Sequence, residues 1–106
     1  MKGTLYINDD PLGVVDFRVI DEGMGGIGET LEATTNYKKY RTQIQDLYDR
    51  KGIANIEDFN FRIILVDNTL LEPTGGIGVT DSSEFDEITV DSAGIDSKIV
   101  ERIKNE

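Results

Sequence analysis

The chain contains no cysteine, no histidine and no tryptophan, and only two prolines in 106 residues. Without cysteine there is neither a disulfide nor a thiolate. With histidine missing as well, the ligand sets that usually hold zinc, copper or haem iron cannot form. Serine–histidine and cysteine–histidine nucleophile pairs are excluded for the same reason. Long apolar runs are also missing, and no stretch approaches the roughly 20 residues needed to span a bilayer. Met1 to Asp10 holds one lysine and no apolar run, so no secretory signal is expected there and the expected compartment is the cytoplasm.

Positive charge is scarce. Eleven Lys and Arg face 21 Asp and Glu, for a net charge of −10. Nucleic-acid phosphates and anionic membranes would be repelled, whereas a basic protein or a divalent cation would be attracted. The imbalance runs along the chain. Residues 36–51 carry Lys38, Lys39, Arg41, Arg50 and Lys51 against Asp46 and Asp49, but over residues 52–97 Arg62 alone faces ten acids. The densest part, Asp81, Glu84, Asp86, Glu87 and Asp91, is either a docking surface for a basic partner or a solvated face that aids solubility. An EF-hand loop starting at Asp81 would place Asp86 where glycine is needed and Ser92 where glutamate is needed, so no metal site is expected. No cofactor is expected either. Paired carboxylates alone, in a short chain without tryptophan, give little material for a glycosidase cleft, and the chain is expected not to be an enzyme.

What is present suits one α+β domain over residues 1–106: 38% hydrophobic residues, enough to offset the ordering of the chain. Leu5 and Ile7 alternate with Thr4 and Tyr6 in a strand over 3–8. A turn cluster at 8–13 then leads into a second strand over 14–20, which predicts a hairpin. A third strand is expected over 27–33. Tyr37, Tyr40, Ile44, Leu47 and Tyr48 fall on one face of a helix, with Thr34, Thr35 or Asn36 to cap it, Gly52 to end it and the tyrosines packed as core. The apolar run 61–66 predicts a buried central strand, with a return over 69–71. Further strands are expected over 77–80 and 84–90, and a short terminal helix begun by Asp96 or Ser97. The expectation is a mostly antiparallel sheet of about five to six strands, with one long amphipathic helix on one face and a short C-terminal helix.

Glycine is the other abundant feature. Gly23, Gly25, Gly26 and Gly28 fit the spacing G-x-G-x-x-G, yet Glu29-Thr30-Leu31-Glu32 follows where a phosphate-binding helix should begin. A turn or bulge that needs positive φ is the plainer reading, and a loop that lets a partner's backbone approach closely is another. Gly25-Gly26-Ile27-Gly28 recurs as Gly75-Gly76-Ile77-Gly78, and Phe17-Arg18-Val19-Ile20 as Phe61-Arg62-Ile63-Ile64, which fits either a duplication or convergence.

Three functions stay open on the sequence. The first is a non-catalytic, acidic protein-binding module of the inhibitor or toxin-immunity type, with Asp81, Glu84, Asp86, Glu87 and Asp91 on the partner and a Tyr or Phe as anchor. The second is an assembly module that pairs through sheet edges. The third is a small-ligand or cation site beside the glycine loops.

Overall fold

A computed structural model describes residues 1–106 as an α+β fold in which one curled antiparallel sheet is covered by two helices. The strands are β1 (Lys2–Ile7), β2 (Asp10–Asp16), β3 (Arg18–Asp21), β4 (Gly26–Ala33), β5 (Ala54–Asn55), β6 (Phe61–Leu65), β7 (Ile77–Asp81) and β8 (Ile88–Ser92). A 3-10 turn (Thr35–Lys39) leads into α1 (Arg41–Lys51), and α2 (Ser97–Lys104) closes the chain. The sheet order is β5-β7-β8-β4-β2-β1-β6, with β3 beside β4.

Eight strands replace the expected five to six for two local reasons. The strand expected over 14–20 bends at Phe17. Gly13 to Val15 pair with Ala33 to Leu31, and beyond the bend Arg18 and Val19 pair with Gly28 and Ile27 in the same register. Phe17 is buried at the bend, so β2 and β3 form one long arm that hairpins onto β4. The second reason is β5, too short to carry an apolar period, which pairs Ala54 and Asn55 with Val79 and Gly78.

Several boundaries also move. The turn cluster expected over 8–13 contracts to Asn8-Asp9, where Asn8 takes a positive φ of 53° that asparagine tolerates. The strand expected over 84–90 starts only at Ile88, and residues 82–87 form a loop. The segment expected to be a central strand, β6, lies at the end of the sheet and pairs with β1 alone among the strands. Phe61, Ile63 and Leu65 point to the core, while Arg62 and Ile64 are half-buried because the return over 69–71 lies along the outer edge. There Leu65 and Leu71 donate backbone hydrogen bonds to Thr69 and Ile63.

The long helix is likewise split. Its first turn is 3-10, Tyr40 breaks it, and α1 runs from Arg41 until Gly52 ends it at φ 84°, with the Gly52 N–H donating to the Tyr48 carbonyl. The expected caps do other work. Thr34 and Asn36 donate their side-chain protons to carbonyls of Pro11 and Leu12, which ties the 3-10 turn to β2. Of the predicted apolar face, Tyr37 and Ile44 are buried, whereas Tyr40, Leu47 and Tyr48 are only half-buried. The positive charge at the helix start is answered by Asp10, 4.0 Å from Lys39, and by Asp81, 3.5 Å from Arg41. Helix α2 keeps its predicted start, as the Asp96 carboxylate accepts the Lys98 N–H at 2.9 Å.

One cluster of 21 buried apolar residues fills the curl, from Leu5 and Ile7 of β1 to Val100 and Ile103 of α2. No helix is long and apolar enough to cross a membrane.

Candidate functional site

Strand β8 organises two features on the outer surface of the sheet. Ile88, Val90 and Ser92 face the core, so Glu87, Thr89 and Asp91 share the outer face. At one end of β8 lies the 82–87 loop, and at the other lies Asp91.

The loop is held at both ends. The buried Ser82 accepts the N–H of Glu84 on its hydroxyl at 3.2 Å and the N–H of Phe85 on its carbonyl at 3.2 Å. Glu87 accepts a hydrogen bond from the Thr30 hydroxyl of β4 at 2.8 Å. Phe85, between these anchors, is 66% exposed. Its neighbours Glu84, Asp86 and Glu87 are exposed, and none forms an ion pair within the chain, although most surface cations are engaged elsewhere. An outward phenylalanine whose chain neighbours are exposed carboxylates without ion pairs is an apolar anchor with an acidic rim.

Around Asp91 the two copies of Gly-Gly-Ile-Gly come together. Ile27 of β4 and Ile77 of β7 both pair with Ser92, and Gly28 and Gly78 both pair with Asp91, one from each side. The recurrence therefore places glycine on both flanks of a single carboxylate. It does not mark a structural repeat, because β3 pairs with β4 whereas β6 and β7 lie apart in the sheet. The space the glycines leave is filled by isoleucines leaning in from outside. A Cβ on Gly28 would lie 2.7 Å from Asp91 Oδ1 and 3.2 Å from Ile20 Cδ1, and one on Gly78 would collide with Ile53 Cδ1. The result is a cleft of about 270 Å³ with Asp91 in its lining, walled by Ile20, Met24, Ile53 and glycine backbone. Asp21 also lines it, but its carboxylate already accepts the Met24 N–H at 3.1 Å. Asp91 has no hydrogen-bond or ion-pair partner, and burial raises its pKa above the usual carboxylate range. No group of three or more acidic, histidine or cysteine side chains is arranged to hold a metal ion.

Comparison with protein-family models, with curated proteins and with solved structures gives no match. The site must be read from its own chemistry.

The structure divides the residues singled out in the sequence. Glu84, Asp86 and Glu87 sit together on the loop, and Asp91 lines the cleft at the other end of β8. Asp81 is a correction. It is 1% exposed and cannot meet a partner, because Tyr37 donates to it at 2.7 Å, Gln45 at 3.2 Å, and Arg41 lies 3.5 Å away. The outward–inward alternation of β7 turns it toward α1. Gly26, Gly75, Gly76 and Gly78 line the cleft, whereas Gly23 and Gly25 form the β3–β4 turn behind it. The G-x-G-x-x-G segment continues into β4, and no helix follows it directly. The apolar walls Ile20, Met24 and Ile53 escaped the sequence reading. They carry no local signal, because only the pairing of β4 and β7 with β8 brings their segments together.

A carboxyl whose folded-state pKa lies above its unfolded value binds its proton more tightly when folded, so the stability it is linked to falls as pH rises through that window. Asp91→Asn is therefore expected to raise the melting temperature at pH 7 and to have a smaller effect at pH 3. Melting curves of both proteins at the two pH values check this, and equal shifts at both would count against a desolvated carboxylate.

Proposed function

We propose that the protein is a non-catalytic binding module that docks on a basic protein surface through the β7–β8 loop. The observation that carries this reading is Phe85, exposed in a loop braced by Ser82 and Glu87 and flanked by three carboxylates without cations of their own. A braced loop loses little freedom on binding, and an aromatic anchor surrounded by polar groups is the usual form of a binding hot spot. Free carboxylates at the rim speed encounter with a basic partner and impose a steep salt dependence.

Pairing through sheet edges has less support. Edge strand β5 has two residues, and the outer side of β6 is covered by the 69–71 return. Both are ways of blunting an edge.

The test uses the whole chain, immobilised at low salt. Proteins that it captures are released by raising salt, identified, and measured by surface plasmon resonance. Phe85→Ala is expected to weaken binding by about 2 kcal/mol, near thirtyfold. The charge reversal Glu84→Lys with Glu87→Lys is expected to slow association about tenfold or more while dissociation changes less. Both variants should melt like the parent, apart from the lost Thr30–Glu87 hydrogen bond. Partners that bind both variants with unchanged kinetics would overturn the reading.

A further inference from the structure

We infer that the cleft beside Asp91 is a binding site for a primary ammonium borne on a short aliphatic chain. The site is independent of the β7–β8 loop. It lies four residues further along β8, about 13 Å away at strand spacing, and could function whether or not the loop docks.

Four observations converge on this ligand class. The cleft, at about 270 Å³, is large enough for a short aliphatic chain, and no lysine or arginine lines it. Of its two carboxylates, Asp21 accepts the Met24 N–H, and Asp91, flanked by Gly28 and Gly78, has no neighbouring side chain to hydrogen-bond it. Its walls are aliphatic, and two of them, Ile20 at 61% and Met24 at 68%, are among the most exposed large apolar side chains of the chain. Ile56, exposed beside Gly76, extends this apolar rim. Exposed apolar surface around an unpaired carboxylate suits an amphipathic cation, whose methylene groups cover the isoleucines while its charged head meets the acid. A bare divalent ion fits less well, since calcium takes six to eight oxygen ligands and magnesium keeps its waters, and both would lie against hydrocarbon walls.

The glycines are part of the device. Any side chain at 28 would press on the Asp91 carboxylate, and any side chain at 78 would displace Ile53. Glycine at both positions keeps other side chains off the acid, which stays half-exposed between Ile20 and Ile53. Burial without a partner raises the cost of the charged form, and a ligand that supplies the missing cation removes that cost. The same residues thus explain why the acid is held where it gains nothing from the folded chain.

Two probes separate the sources of the cation: butylammonium as a free amine, and Nα-acetyl-lysine methylamide as the side chain of a protein. Each is titrated into the ¹³C,¹⁵N-labelled full chain and followed by NMR, with 1-butanol as the neutral control. Saturable shifts are expected at Ile20, Gly28, Gly78 and Asp91 with at least one amine, and none of comparable size with 1-butanol. Asp91→Asn should weaken that binding about tenfold or more, as expected for the loss of a charge-assisted hydrogen bond. Tighter binding of butylammonium assigns the site to free amines, and tighter binding of the lysine derivative assigns it to a partner's side chain. In the unmutated protein, the amine should also lower the Asp91 pKa read from its side-chain carboxyl ¹³C shift, a result that does not depend on any variant folding. No saturable shift with either amine, equal binding by 1-butanol, undiminished binding by folded Asp91→Asn, or an unmoved Asp91 pKa at saturating amine would each overturn the proposal.

Discussion

Asp81→Leu is expected to cost about 2–4 kcal/mol of folding stability. Asp81 is an acceptor shared by both parts of the helical segment. The Tyr37 hydroxyl of the 3-10 turn and the Gln45 amide of α1 both donate to it, and the Arg41 guanidinium stands beside it and 5.7 Å from the Tyr37 ring. Burial first, and then the hydrogen bond to Asp81, hold the Tyr37 hydroxyl protonated well above the ordinary phenol range, so at any working pH it is a donor that needs an acceptor. Leucine fills the volume but accepts nothing. It leaves a buried phenol unsatisfied and Arg41 without its carboxylate, although Arg41 is half-exposed and water will recover part of that loss. For a domain of this size the melting temperature should fall by roughly 10–25 °C. Asp81→Asn retains an acceptor for Tyr37 and should cost less. The double variant Tyr37→Phe with Asp81→Leu should be more stable than the sum of its parts, because both ends of the buried bond are then apolar. Urea unfolding of the parent, these three variants and Tyr37→Phe alone checks the order. Equal stability of Asp81→Leu and the parent would mean that the contacts to Asp81 add nothing net to the hold on α1.

The same residue marks where the sequence could be read and where it could not. Asp81 stands among acids in the chain and looks like one of them. Only the alternation of β7, which faces Ile77, Val79 and position 81 inward, distinguishes it from Glu84 four positions after Thr80. The strand was legible over 77–80, but one further residue decided whether the acid was surface or core. Much of the fold was carried by local periodicity, as in β1, β7 and α2, where alternation or helical spacing coincides with burial. Errors arose where a long-range contact overrode a local signal. Thr34 and Asn36 have the chemistry of helix caps, but the carbonyls of Pro11 and Leu12 lie within reach and take their protons. The apolar run 61–66 resembles a central strand, but its second neighbour is the returning chain at 69–71 and not another strand of the sheet. The cleft follows the same logic. Its two glycine segments were visible as a repeat, yet 50 residues separate them, and only the shared pairing with Asp91 turns a repeat into a site.

Two glycines with positive φ should respond very differently to alanine, and the difference measures how tightly the β3–β4 turn is docked. Gly52 ends α1 at φ 84°, and a Cβ there would meet nothing within 4 Å. Gly52→Ala therefore incurs only the left-handed penalty, about 1–2 kcal/mol. Gly25 sits at φ 61°, and its Cβ would lie 2.7 Å from the carbonyl oxygen and 2.8 Å from the nitrogen of Ile95. Those atoms cannot yield as a flexible side chain would. The Ile95 N–H donates to the Gly25 carbonyl at 3.1 Å, and the Gly94 N–H donates to the Met24 carbonyl at 2.9 Å, so a methyl group at 25 forces apart the strands of backbone that tie the turn to the approach to α2. Overpacking of this kind costs about 1–3 kcal/mol beyond the backbone penalty. Gly25→Ala is thus expected to be about 1–3 kcal/mol less stable than Gly52→Ala in urea unfolding. Hydrogen exchange at the Gly94 and Ile95 amides should accelerate in the first variant and not in the second. If both variants lose the same stability and both amides keep their protection, the turn is not clamped by Ile95. In that case Met24, one residue before Gly25, has no fixed position from which to form a wall of the cleft.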